Sequence, residues 1–302
     1  MLDTFTLIFP LIFTAGVGFG CARYGFLKAE HLAGVSRFVF YVSIPAMLFI
    51  NMLQAPLTQV VSLALFTSFY GPVIGVYLVA LVIFNLRFKQ VSKSAVLALG
   101  GSYSNTVLIG LPIAIAALST EVAATVFALI TFHSATLFLL TYLFFGKSHA
   151  LNWRLTAKQL VINPVVLPIA LGVVGNLMGI KLTGALHASV TLLAEPAIAG
   201  ALFVLGANLH HYQLRRGLHL ALLLSVLKLF VLPAGVWLFA CEIFSLPREQ
   251  VLLLVLLSGA PLGVNAYLVA KQLRTENDTL ASTVVLSTLL SVVSYVFWLN
   301  WV

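Results

Sequence analysis

Two stretches of this sequence put hydrogen-bond donors beside residues that break buried helices. The first is GGSYSNTVLIGLPIAIA, around Gly110 and Pro112; the second is LSGAPLGVNAYLVAK, around Gly259, Pro261 and Gly263. Proline inside a helix removes an amide donor and clashes with the preceding turn, and neighbouring glycines loosen the backbone further. A helix restarted at such a break offers free amides and a partial positive charge, which favour an anion by about 0.3–2 kcal/mol. Taking a carboxylate out of water costs far more, so side-chain donors must take over its hydration. Ser102, Ser104, Asn105 and Thr106 stand beside the first break, and Ser258, Asn265 and Tyr267 beside the second. The chemistry that fits is reversible binding of a small organic anion. The expected contacts are Ser104, Asn105, Thr106, Gly110, Pro112, Ser258, Gly259, Pro261, Asn265 and Tyr267.

Three ionisable residues fall near the middle of long apolar segments: Glu195, Lys228 and His133. A charge at such a depth in a bilayer costs about 2.5–3.5 kcal/mol on insertion scales, so each calls for a reason. On a functional reading, Glu195 or His133 exchanges a proton during transport and Lys228 balances the charge of the anion. On a structural reading, Glu195 and Lys228 form an ion pair that permits burial, and His133 is bonded to a neighbouring helix. Sodium is the rival coupling ion, although no acidic residue lies beside either break. His210, His211 and His219 cluster without a cysteine or carboxylate partner at ligand spacing, so no metal site is expected, and no cofactor either.

The elements that must position these groups follow from composition. Of 302 residues, 61% are hydrophobic and 8% charged, more apolar surface than a water-soluble domain of this size can bury. Lipid then has to be the solvent, and in lipid every backbone amide must be paired within its own segment or in a closed barrel. The apolar stretches are of helix length rather than the alternating stretches of about ten residues in a barrel strand. Ten spans are expected, at 4–22, 35–52, 63–86, 95–118, 120–145, 160–180, 186–208, 218–241, 250–271 and 279–301. The opening segment lacks the pattern of a cleavable signal and is read as a retained span.

The net charge of +8 suggests a nucleic-acid partner until the basic residues are placed. Thirteen of the sixteen fall in or beside the odd-numbered connections, only Lys181 and Arg248 in the even ones, and Lys228 inside a span. That is the positive-inside bias of an inserted bundle. It puts both termini outside the cytoplasm and leaves no basic face for nucleic acid.

The chain also matches itself. Pro10 pairs with Pro164, and at the same offset of 154 Gly18 falls on Gly172 and Gly25 on Gly179; Pro45 pairs with Pro196 and Pro112 with Pro261, at offsets of 151 and 149. Each half, 1–150 and 151–302, then holds five spans, and an odd number forces the second half to enter the membrane from the opposite side. The expected architecture is an all-α membrane protein of two inverted five-helix repeats. Its fourth and ninth helices are broken and share a central cavity.

The runs NTVLIGLP, APLGVNAYLVAK and SIPAMLF together resemble the auxin efflux carrier family, which includes plant PIN carriers and bacterial permeases for malonate, malate and other dicarboxylates. The similarity covers essentially the whole chain. It implies a fold like that of bile acid symporters and NhaA, with crossing helices 4 and 9. Spans 1, 2, 6 and 7 would form a scaffold, and spans 3–5 and 8–10 a transport domain moving as an elevator. It further implies that Asn105 and Asn265 meet the substrate carboxylate, and that the scaffold forms a homodimer. Two features depart from the family pattern. Only about fifteen residues separate the fifth and sixth spans, and Pro196 comes early in the seventh with Glu195 before it.

Other classes fare worse. No nucleophile and base pairing and no HExxH run supports an enzyme. A receptor would be expected to carry a soluble output domain. A channel shares the polar breaks and differs in rate rather than in sequence. The reading is a secondary carrier for a mono- or dicarboxylate, proton-coupled or alternatively sodium-coupled, in a prokaryotic cytoplasmic membrane.

Overall fold

The computed structural model describes residues 2–54, 62–118, 120–145, 164, 166–211 and 217–302. Basic residues Lys147, Arg154, Lys158, Arg215 and Arg216, which contribute to the charge bias, lie outside them. The described residues form helices and no strand, apart from one isolated antiparallel bridge. The first half runs α1 (Leu2–Arg23), α2 (Ala29–Phe38), α3 (Ile44–Gln54), α4 (Leu63–Phe88), α5 (Val91–Ser102), α6 (Leu111–Ala117) and α7 (Thr120–Phe145). The second runs α8 (Val166–Leu177), α9 (Gly184–Ala194), α10 (Pro196–His211), α11 (Leu218–Val226), α12 (Leu232–Trp237), α13 (Arg248–Ser258), α14 (Val264–Gln272) and α15 (Asn277–Trp301).

Among the described residues, five continuous helical segments are long and apolar enough to cross a bilayer: Glu30–Gln54, Leu63–Phe88, Gly184–Asn208, Leu218–Ile243 and Asp278–Trp301. Leucine, valine and phenylalanine stay exposed along them, as at Val79, Val82, Ile83, Leu192, Leu289 and Val293. In water such an apolar belt would be a liability; against lipid tails it costs nothing.

Helices pair where small residues let backbones approach. α1 lies along α10 and α8 along α3. A Cβ on Gly18 of α1 would stand 2.0 Å from the Phe203 carbonyl oxygen, and one on Gly172 of α8 would stand 2.7 Å from that of Phe49. Without a hydrophobic drive between helices in lipid, this close packing is what holds them together. Asn176 adds a clamp, its Nδ2 donating to the carbonyls of Met52 and Leu53 at 3.2 and 2.8 Å. On the other side α4 packs on α5, α5 on α7, and α11 and α14 on α15.

Three prolines stand within helical stretches without interrupting them. Pro45, Pro112 and Pro233 each occupy the second position of an α-helix that continues directly from a π turn, over Val39–Ser43, Thr106–Gly110 and Leu227–Val231. The residue before each proline donates five back: Ile44 to Val39, Leu111 to Thr106 and Leu232 to Leu227. A wider turn moves the carbonyl that the proline ring would strike and makes its missing donor tolerable. Pro112 therefore does not mark the break in its helix, contrary to the expectation from sequence.

Candidate functional site

The interruption before Pro112 lies at Tyr103–Asn105, between α5 and the π turn, and the second lies at Gly259–Gly263, between α13 and α14. Serine, tyrosine and asparagine make the first break, because polar side chains there offer the backbone partners outside the helix. The two unwound stretches meet. Ser104 and Leu262 form the isolated antiparallel bridge, and the Asn105 amide donates to the Pro261 carbonyl at 2.8 Å. Four half-helices thus converge on one point, and residues well inside the protein, such as Ser104 at 1% and Ser258 at 0% exposure, hold it together.

Two of the unwound amides are taken by side chains of other helices. Ser104 N–H donates to His133 Nε2 of α7 at 2.9 Å, and Leu262 N–H donates to Ser287 Oγ of α15 at 3.0 Å. Ser104 Oγ donates to the Ser258 carbonyl at 3.2 Å, tying the end of α13 to the first break. Buried backbone groups are satisfied in this way because an orphan would cost about 1–3 kcal/mol. Since His133 Nε2 accepts, the proton of the neutral ring belongs on Nδ1, which is buried with no hydrogen-bond partner among the described residues.

Tyr103 is the residue that sequence reasoning missed, although it stands in the quoted run. Its ring stacks on His133 and Phe138 with centroids 5.2 and 5.0 Å away. Its hydroxyl shares a 2.8 Å hydrogen bond with Ser134 Oγ and accepts from Asn265 Nδ2 at 3.3 Å. Gly263 leaves room for that ring, since a Cβ there would lie 2.4 Å from Tyr103 Cε1. Ser287 was missed as well, because a serine in an apolar span carries no signal until its partner is known.

The anticipated contacts divide accordingly. Ser104, Asn105, Ser258, Pro261, Asn265 and His133 come together at the crossing. Asn105 caps the restarted helix, Oδ1 accepting from Leu108 N–H at 3.3 Å, which leaves its Nδ2 without a partner among the described residues. Thr106 opens the π turn and is buried, and Gly110 backs onto Leu257 and Ala260. Pro112 is one turn further along, in α6. Asn265 is exposed and Tyr267 half-buried on α14, and Gly259 caps α13.

Comparison with known proteins decides what such a crossing belongs to. The family model described as "Membrane transport protein", the auxin efflux carrier family, matches residues 3–152 and 148–299, which together span nearly the whole chain. The chain belongs to the auxin efflux carrier family. It is 21% identical over 299 residues to a protein of Rhizobium meliloti (strain 1021) named "Putative malonate transporter", covering 97% of this chain and 93% of that one. The protein is a multi-pass membrane transporter with a small-molecule substrate and is not an enzyme.

In this transporter the remaining ionisable residues stand apart from each other. No ion pair joins Glu195 to Lys228: Glu195 is exposed at the junction of α9 and α10, whereas Lys228 is fully buried and its ammonium donates to the Ser258 carbonyl. A cavity of about 470 Å³ is lined by residues of α1, α6, α10 and α15. Its lining is apolar, including Phe19, Ile113, Leu205 and Leu289, with hydroxyls only from Thr288, Ser291 and Tyr295. Nothing there could replace the hydration of a carboxylate, so it is a seam between helix groups rather than the anion's seat.

Proposed function

We propose that the protein is a secondary carrier of a small organic anion, with malonate and other mono- or dicarboxylates as first candidates, bound where the two interrupted helices cross. The observation that carries this reading is the pairing of Ser104 with Leu262 beside an unengaged Asn105 Nδ2 and the first turn of a restarted helix. Free amides and an amide donor suit a carboxylate. The relative named for malonate supports the class of substrate.

Ten spans arranged as two inverted repeats provide the frame. Support comes from the matching roles of Gly18 and Gly172 at close helix contacts, and from the matching capture of Ser104 and Leu262 amides by α7 and α15. Spans 1, 2, 6 and 7 would stand as a scaffold and form a homodimer, while spans 3–5 and 8–10 carry the crossing past them. The apolar seam of about 470 Å³ lies on the boundary that such an elevator needs to be weakly bonded. Both termini would face outward across a prokaryotic cytoplasmic membrane.

Coupling to protons is assigned to His133. A proton on Nε2 would turn the acceptor of the Ser104 amide into a second donor and break that bond, changing the crossing itself. The test of the overall reading is a thermal-shift screen of purified protein against mono- and dicarboxylates. A ligand that binds the folded form raises its apparent stability, so at least one carboxylate should do so and Asn105→Ala should abolish the rise. A flat response across the whole series would remove the anion from the account.

A further inference from the structure

The C-terminal end of α13 raises a problem of its own. The last four carbonyls of a helix lack helical donors and carry its partial negative charge, and here they end inside the protein, where Ser258 is 0% exposed. In carriers with interrupted helices such ends commonly coordinate the coupling cation. Here the place is already taken. Lys228 comes from the π turn Leu227–Val231, has no exposed surface, and gives its ammonium to the Ser258 carbonyl, which Ser104 Oγ also serves. Among the described residues no carboxylate is paired with it, and the end of α13 is what it faces.

We propose that Lys228 is a tethered cation that permanently fills the cation site of the crossing, so that this carrier works without sodium. A second monovalent cation at the same carbonyl would sit in contact with the ammonium and be repelled. The π turn has a purpose on this view: its extra residue aims the lysine at the end of α13. The inference builds on the carrier reading above, and it predicts that cutting the side chain away leaves a vacancy the size of a small cation.

The experiment compares purified wild type, Lys228→Ala and Lys228→Arg by thermal unfolding in methylammonium, sodium or choline chloride of equal ionic strength. Methylammonium should stabilise Lys228→Ala by several degrees over choline and leave wild type unmoved. In proteoliposomes, wild-type uptake of a carboxylate should agree within twofold between sodium and choline. Uptake by Lys228→Ala should fall at least tenfold in choline and recover severalfold with methylammonium or sodium.

Wild-type uptake that requires sodium would overturn the proposal. So would a folded Lys228→Ala that is indifferent to both cations, or one as active as wild type in choline. If Lys228→Ala does not fold, Lys228→Arg and the wild-type sodium comparison decide: sodium dependence in either refutes it. A carrier reading that fails gives no uptake in any medium, yet the stabilisation of Lys228→Ala by methylammonium still reports on the site.

Discussion

Replacing Gly263 with alanine sets a methyl carbon 2.4 Å from Cε1 and 3.0 Å from Cδ1 of Tyr103, and 3.5 Å from Asn105 Cα. Carbon atoms rest at about 3.5–4.0 Å, so the ring has to retreat by about 1 Å. It has little freedom to do so. One hydroxyl holds it to Ser134 at 2.8 Å and to Asn265 at 3.3 Å, and its faces meet His133 and Phe138. Overpacking of this kind costs about 1–3 kcal/mol. If the strain opens the crossing, binding weakens about 5- to 140-fold, at about 1.4 kcal/mol per factor of ten. The assay is a thermal-shift titration with whichever carboxylate the screen selects. Gly75→Ala is the control, since its new methyl meets nothing within 4 Å and alanine favours a helix. A folded Gly263→Ala that titrates like wild type would refute the claim that Tyr103 and the crossing are packed against each other.

Asn105→Asp keeps the oxygen that caps Leu108 but exchanges the free Nδ2 for negative charge. It should unfold near the wild-type temperature while losing at least tenfold in anion affinity, whereas Asn105→Ala should also forfeit about 0.5–2 kcal/mol of cap stability. His133→Gln preserves an acceptor for the Ser104 amide without a titrating ring, so uptake at fixed pH should survive while its dependence on a pH gradient disappears. Glu195→Gln, at an exposed position, should leave that dependence unchanged; loss of it would move the coupling role from His133 to Glu195. Gly18→Ala places a methyl 2.0 Å from the Phe203 carbonyl oxygen and should lower the unfolding temperature by several degrees, as the backbones of α1 and α10 must part.

Composition and span length made the helical membrane character legible, because lipid leaves a chain few ways to pair its amides. The polar runs were also readable as places where a buried apolar helix is interrupted, since serine and asparagine there need partners. What misled was proline. Pro112 and Pro261 share a spacing and a glycine-rich setting, yet one follows a π turn inside a continuing helix and the other lies within the unwound stretch. Local sequence alone does not say whether a proline widens a helix or breaks it; the partners waiting on other helices do, His133 and Ser287 among them. Glu195 and Lys228 illustrate the same limit. Both stand mid-segment in sequence, and only tertiary packing sends one outward and the other to the end of α13.

Counterflow in proteoliposomes tests the central claim most directly. Vesicles preloaded with the selected carboxylate should take up labelled carboxylate saturably and faster than empty ones, and Asn105→Asp should abolish the acceleration. Uptake that rises linearly with concentration, ignores preloading and is untouched by Asn105→Asp would contradict a carrier that binds its anion at the crossing.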